Sequence, residues 1–165
     1  MRLYIVRHAI AAPHGTAGVA DDERSLTETG IKKMKQAARG LRSLDVLPEV
    51  ILSSPLPRAR QTAEILIDAL GKKAALSLTD ALSPSGSRRE VYEELEKQGD
   101  HESIMLVGHQ PSLGEIAGEL AWGSPEHYLE LKKGGACCLE EVTLHPKPHG
   151  TLLWVLTPSI LRTIA

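Results

Sequence analysis

Four short runs of aliphatic and β-branched residues, RLYIV (2–6), EVILSS (49–54), ESIMLVG (102–108) and TLLWVLT (151–157), punctuate the chain, and segments of helical periodicity fill most of the space between them. LTETGIKKMKQAARGLRSL (26–44) places Ile31, Met34, Ala38 and Leu41 at three- and four-residue steps, which predicts an amphipathic helix. PLPRARQTAEILIDALG (55–71) is expected to open at Pro55 and stop at Gly71, while 87–99 and 111–123 read as two further helices, the last from Pro111 to Gly123. Strands that alternate with helices of this length predict an α/β fold, here a three-layer α/β/α sandwich around a mostly parallel sheet. GGACCLEEVTL (134–144) followed by PKPHG and TLLWVLT reads instead as a hairpin, so an antiparallel edge is expected. Residues 1–165 are expected to form one domain, long enough to bury ~70% of the surface of the unfolded chain. The polar, small-residue segment 11–25 is a loop of a length that tends to be functional or mobile.

Composition then removes several classes of function. Aromatic residues make up 3% of the chain, with no Phe, so the core must be aliphatic and base-stacking platforms are lacking. Net charge is −2 without a basic block, which gives neither nucleic acid nor an anionic membrane anything to hold. The first apolar run is broken after four residues by Arg7-His8, short of a secretion signal, and a cytoplasmic, monomeric protein is expected. Cys137 and Cys138 are adjacent in an apolar stretch and read as small buried strand residues in a reducing compartment.

Three strand ends carry unusual residues. The first strand ends at Arg7-His8, the second runs into SSPLPRA with Arg58 in the first helical turn, and the third ends at His109 in VGHQPS. In open α/β sheets, ligands gather at the carboxyl ends of strands, so two histidines and two arginines should meet at one edge. Arg58 stands at the positive end of a helix dipole, an odd place for a cation unless an anion compensates it. Guanidinium forks match phosphate oxygens, and a neutral imidazole can attack phosphorus. Ser53 and Ser54 read as helix caps. No phosphate-loop, dinucleotide-binding or C-x-x-C motif is present. His145 and His149 are flanked by prolines that prevent a helix from aligning them on one metal, so neither a metal nor a cofactor is expected; His14, His101 and His127 read as loop or surface residues.

The order strand-RH, LTETG, SSPLPRARQTA and VGHQPSL resembles the histidine phosphatase superfamily (phosphoglycerate mutase-like), and within it the small SixA-type phosphohistidine phosphatases. The resemblance implies His8 as the nucleophile that becomes phosphorylated, Arg7 and Arg58 as ligands of the phosphoryl oxygens, and His109 as a charge-stabilising donor. It suggests a phosphate or substrate contact for Arg24, whose alternative is a solvated charge at the helix start. It further implies a phosphohistidine-bearing signalling or phosphotransfer protein as substrate. Two departures stand out. Ala9 follows RH where Gly is usual, and the 80–95 stretch reads LSPSG where mutases and broad phosphatases carry a carboxylate acid. Glu90, Glu93 and Glu94 follow, but their spacing reads as an exposed helix face. Without a proton donor an alkoxide leaves badly, whereas imidazole leaves readily, which tilts the reading toward phosphohistidine. Two alternatives stay open: a small phosphomonoesterase of sugar phosphates or related metabolites, and an inactive phosphate- or phosphoprotein-binding module.

Overall fold

A computed structural model describes residues 1–71 and 73–165. One six-stranded sheet organises it: β1 (Arg2–Arg7), β2 (Val50–Ser53), β3 (Ala75–Leu78), β4 (Ser103–Gly108), β5 (Ala136–Thr143) and β6 (His149–Leu156), in the spatial order β3-β2-β4-β1-β5-β6. The first four are mutually parallel, while β5 runs antiparallel to both β1 and β6. This is the mixed sheet with an antiparallel edge that the sequence predicts.

Successive side chains of a strand point to opposite faces, so each core strand feeds two cores. Tyr4 and Val6 of β1 join Ile51, Met105 and Val107 on one face, under α1 (Glu28–Ser43), α2 (Pro57–Leu70) and α5 (Pro158–Thr163). Leu3 and Ile5 join Leu52, Ile104 and Leu106 on the other, under α3 (Arg88–Glu96) and α4 (Ser112–Trp122). Cys137 and Cys138 are buried, unpaired, and divided between the same two cores. Burial pushes both thiols above their ordinary pKa.

Several boundaries differ from expectation, each for a local reason. Pro57, not Pro55, takes the first position of α2. Leu56 precedes a proline and is therefore held extended, so the helix cannot begin earlier. Thr27 caps α1 by accepting the Gly30 N–H at 2.9 Å, which excludes Leu26 from the helix. Pro111 occupies the cap of α4 rather than its first turn, and Gly123 ends that helix in the left-handed conformation. Two elements escaped the sequence reading. All four residues of β3 are exposed, so an edge strand of this kind leaves no apolar period, and α5 is only six residues long. Among the described residues no helix is long and apolar enough to cross a membrane.

Candidate active site

The carboxyl ends of β1, β2 and β4 lie side by side, and the residues predicted for the site all meet there. Past Arg7, the His8 N–H donates to the Gly108 carbonyl at 3.0 Å, continuing the β1–β4 ladder by one residue. From the other side, the Gly134 N–H donates to the carbonyls of both Arg7 and His8, each at 3.1 Å. Gly134 has φ +79°, a conformation that a side chain would strain. The backbone carrying the Arg-His pair is thus clamped from both neighbours. Ala9 lies outside the left-handed region, so alanine replaces the usual glycine without strain.

His8 is 6% exposed, and its Nδ1 lies 2.8 Å from the Ala9 carbonyl oxygen. A carbonyl only accepts, so Nδ1 carries the hydrogen and Nε2 keeps its lone pair. Burial, then the positive charges of Arg58, Arg7 and Lys133, lower the His8 pKa to about 4, outweighing the opposing pull of the Ala9 carbonyl. The His109 ring stands 5.0 Å from it, centroid to centroid, tilted by 54°. Burial, His8 and the surrounding arginines bring the His109 pKa down to about 3.

Ser54 does not cap α2, whose cap position belongs to Leu56. Its hydroxyl instead lies 2.9 Å from His109 Nε2 while accepting the Leu56 N–H at 3.3 Å. The Ser54 hydroxyl thereby links the end of β2 to the His109 ring and fixes that ring's orientation. Ser53 donates to the Ser54 carbonyl at 2.9 Å and likewise caps nothing.

Three arginines gather beside the two histidines, close enough that, after burial and His8, Arg58, Arg24 and Arg7 all lower the His109 pKa. Arg58 is 3% exposed; its Nη1 donates to the Asp21 carbonyl at 2.7 Å, and its Nη2 lies 3.6 Å from the Asp21 carboxylate. Arg7 donates from Nη1 to the Leu131 carbonyl at 2.8 Å. The Nε atoms of both arginines are buried without a hydrogen-bond partner. An unpaired buried donor is costly, and a tetrahedral oxyanion is the group that satisfies guanidinium N–H groups best. Arg24 is buried too, and is not the solvated charge of the alternative reading. Its Nε donates to the Asp21 carboxylate and its Nη1 to the Ala12 carbonyl, both at 2.7 Å.

Sequence reasoning missed two residues of this assembly. Asp21, in the 11–25 segment, binds Arg24, Arg58 and His14 together, and the Arg24 hydrogen bond holds its carboxyl below the ordinary range. The acid–base spacing of three between Asp21 and Arg24 was the available signal. Thr62 had none. Its hydroxyl donates to the Arg58 carbonyl at 2.6 Å and accepts the Ala9 N–H at 3.0 Å, tying α2 to the segment after β1. His101 and His127 are exposed as expected, and His14 is exposed but paired with Asp21. His145 pairs with Glu96 and His149 bonds Thr143, and among the described residues no group of three or more His, Cys, Asp or Glu is placed to hold a metal.

The two buried rings make stability depend on pH. Their folded pKa values lie below the ordinary 6.5, so between pH 6.5 and about 4 the unfolded chain takes up protons that the folded chain refuses. Stability is therefore full above 6.5 and falls as pH drops through this window. At ~1.4 kcal/mol per pKa unit, His8 alone is expected to cost about 3 kcal/mol by the lower end. Urea unfolding of wild type, His8→Gln and His109→Gln at neutral and acidic pH checks this. Each variant should lose less stability on acidification than wild type does.

The family model for the histidine phosphatase superfamily (branch 1) matches residues 3–83. An uncharacterized protein of Picosynechococcus sp. is 44% identical over 153 residues, spanning 90% of this chain and 90% of its own length. The phosphohistidine phosphatase SixA of Escherichia coli is 27% identical over 164 residues, 98% of this chain and 97% of that one. The solved structure of the protein histidine phosphatase SixA complexed with tungstate matches with a TM-score of 0.82 at 27% identity, covering 96% of this chain and 98% of that one. The chain therefore belongs to the histidine phosphatase superfamily, is of the SixA type, and is a phosphatase.

Proposed function

We propose that the chain hydrolyses phosphohistidine carried on a protein, through a covalent phospho-His8 intermediate and without a metal. The observation that carries this reading is the state of His8: its hydrogen is fixed on Nδ1 by the Ala9 carbonyl, so Nε2 is an unprotonated nucleophile beside two buried guanidinium donors. In the first step the Nε2 lone pair attacks phosphorus, the P–N bond to the substrate imidazole breaks, and that imidazole leaves with a proton taken from solvent. Water then attacks the phospho-His8, the new P–N bond breaks, and phosphate departs while His8 returns to its neutral form. Arg7 and Arg58 neutralise the equatorial oxygens, the charge that would otherwise call for a metal. His109, oriented by Ser54, stabilises the same charge, and Arg24 holds its place through Asp21. The similarity to SixA supports the substrate class.

The carboxylates support it as well. Among the described residues none hydrogen-bonds to His8 or His109. Asp21 is the acid paired with Arg24 and Arg58, and its depressed pKa leaves it ionised at neutral pH, unable to donate a proton. Glu90 is committed to a capping box with Ser87, Glu93 to Arg89 and Glu94 to Lys97. Glu115 accepts from Arg88 at 2.9 Å.

A reaction without a proton donor depends steeply on the leaving group. Phosphoramidates and aryl phosphates are expected to turn over, alkyl and sugar phosphates to be poor substrates, and Glu90→Gln, Glu93→Gln and Glu94→Gln to change kcat little. Measuring kcat/KM across a leaving-group series decides the matter. A flat dependence, or a large loss of sugar-phosphate turnover in one Gln variant, would instead favour the phosphomonoesterase reading.

A further inference from the structure

Beside Ala9, on the β5–β6 side of the nucleophile, lies a cavity of about 410 Å³ between α1, the Lys132–Gly134 turn and the start of α5. Its charged lining is Lys33, Lys132, Lys133 and Arg162, with no acidic residue among them. Lys132 is neutralised by Glu130 at 2.8 Å. Lys33, Lys133 and Arg162 have no acidic partner among the described residues, and Arg162 is half-buried.

We infer that this cavity is a second anion-binding subsite, which takes carboxylate side chains flanking the phosphohistidine of the substrate protein; the inference builds on the phosphohistidine reading above. Topology puts the cavity on the reacting edge. β6 runs parallel to β1, so the residues that follow them, Thr157 and Ala9, emerge on the same side of the sheet, and Gly134 bonds the His8 carbonyl directly. A net charge of −2 makes three unpaired cations at one edge a local reversal of the molecule's overall sign. Such a field draws in an acidic partner and sets its register. The lining also includes the apolar Ala9, Met34 and Pro158, against which the stems of flanking side chains can pack. Its unpaired cations are two exposed lysine point charges and one half-buried arginine, a set suited to separate monoanionic carboxylates rather than to a second tetrahedral dianion.

Two peptides with the same phosphohistidine core, one flanked by Asp and Glu and the other by Asn and Gln, test this. Wild type should prefer the acidic peptide by about tenfold or more in kcat/KM, chiefly through KM. A Lys33→Gln/Arg162→Gln double variant should lose the preference while hydrolysing phosphoramidate at the wild-type rate. Parity in wild type, or a preference that survives in the double variant, overturns the subsite. Fluorescence anisotropy with a labelled, unphosphorylated acidic peptide provides a readout free of turnover. If phosphoramidate is hydrolysed but neither phosphopeptide is, the phosphohistidine reading fails by itself. The subsite then stands if the acidic peptide binds wild type more tightly than the double variant, and falls if the two bind it equally.

Discussion

Replacing His8 with alanine is expected to abolish turnover, by ~10⁴-fold or more, the scale on which removal of a covalent nucleophile acts. The motivation is that burial at 6% exposure and the Nδ1 contact with Ala9 leave the His8 Nε2 lone pair free among positive charges. His8→Asn should be equally inactive but keep phosphate affinity, because Arg7 and Arg58 are untouched. Rapid acid quench of wild type with a labelled phosphodonor should trap acid-labile, base-stable phosphate on the protein, and His8→Ala should trap none. Trapped label with no hydrolysis in wild type would reveal a stalled intermediate. Neither label nor hydrolysis would leave the binding-module reading. Substantial activity in His8→Ala would place the nucleophile elsewhere.

Arg58→Ala is expected to lower kcat by ~10²–10³-fold, the usual cost of removing one preorganised donor to developing charge. Arg58→Lys should recover little, because a single ammonium is a point charge that cannot both keep the Nη1 contact with the Asp21 carbonyl and offer the planar fork a phosphoryl group needs. Arg60 is the control. It lies two residues further along α2, half exposed and paired with Glu64 at 2.9 Å, so Arg60→Ala should leave kinetics near wild type. A defect in Arg60→Ala with normal Arg58→Ala would move the anion-binding role from Arg58 to Arg60. Measuring kcat and KM separately for the three variants resolves this.

Arg7, His8, Arg58 and His109 are legible in the sequence because each interrupts a pattern. A charged or titratable residue at the end of an apolar run, or a cation at a helix's positive end, conflicts with its local surroundings, and that conflict is visible without coordinates. Asp21 and Thr62 conflict with nothing. An aspartate in a polar loop and a threonine on a helix are ordinary residues, and only the fold brings one to Arg58 and the other between Arg58 and Ala9. The fold divides in the same way. β1, β2 and β4 are visible as apolar runs because they are buried on both faces, whereas β3 is wholly exposed and joins the sheet through backbone pairing with β2 alone. Ser54 was misassigned because a serine before a helix is commonly a cap, and the demand of a buried imidazole on a neighbouring strand end outranks that habit here.

The Thr62 hydroxyl is a mechanical spacer. It grips the nucleophile's segment with its acceptor side and the carbonyl of Arg58 with its donor side, so one turn of α2 acts as a gauge block between attacking group and anion holder. Because the sheet clamps His8 from both sides, this hydroxyl holds the turn of α2, and Arg58 with it, at a set distance from the nucleophile. Repacking around Leu66 or Leu70 leaves the gap unchanged as long as both bonds of Thr62 survive. An insertion between residues 58 and 62 has no such protection: it alters the gap itself, and with it the alignment that an in-line displacement at phosphorus requires.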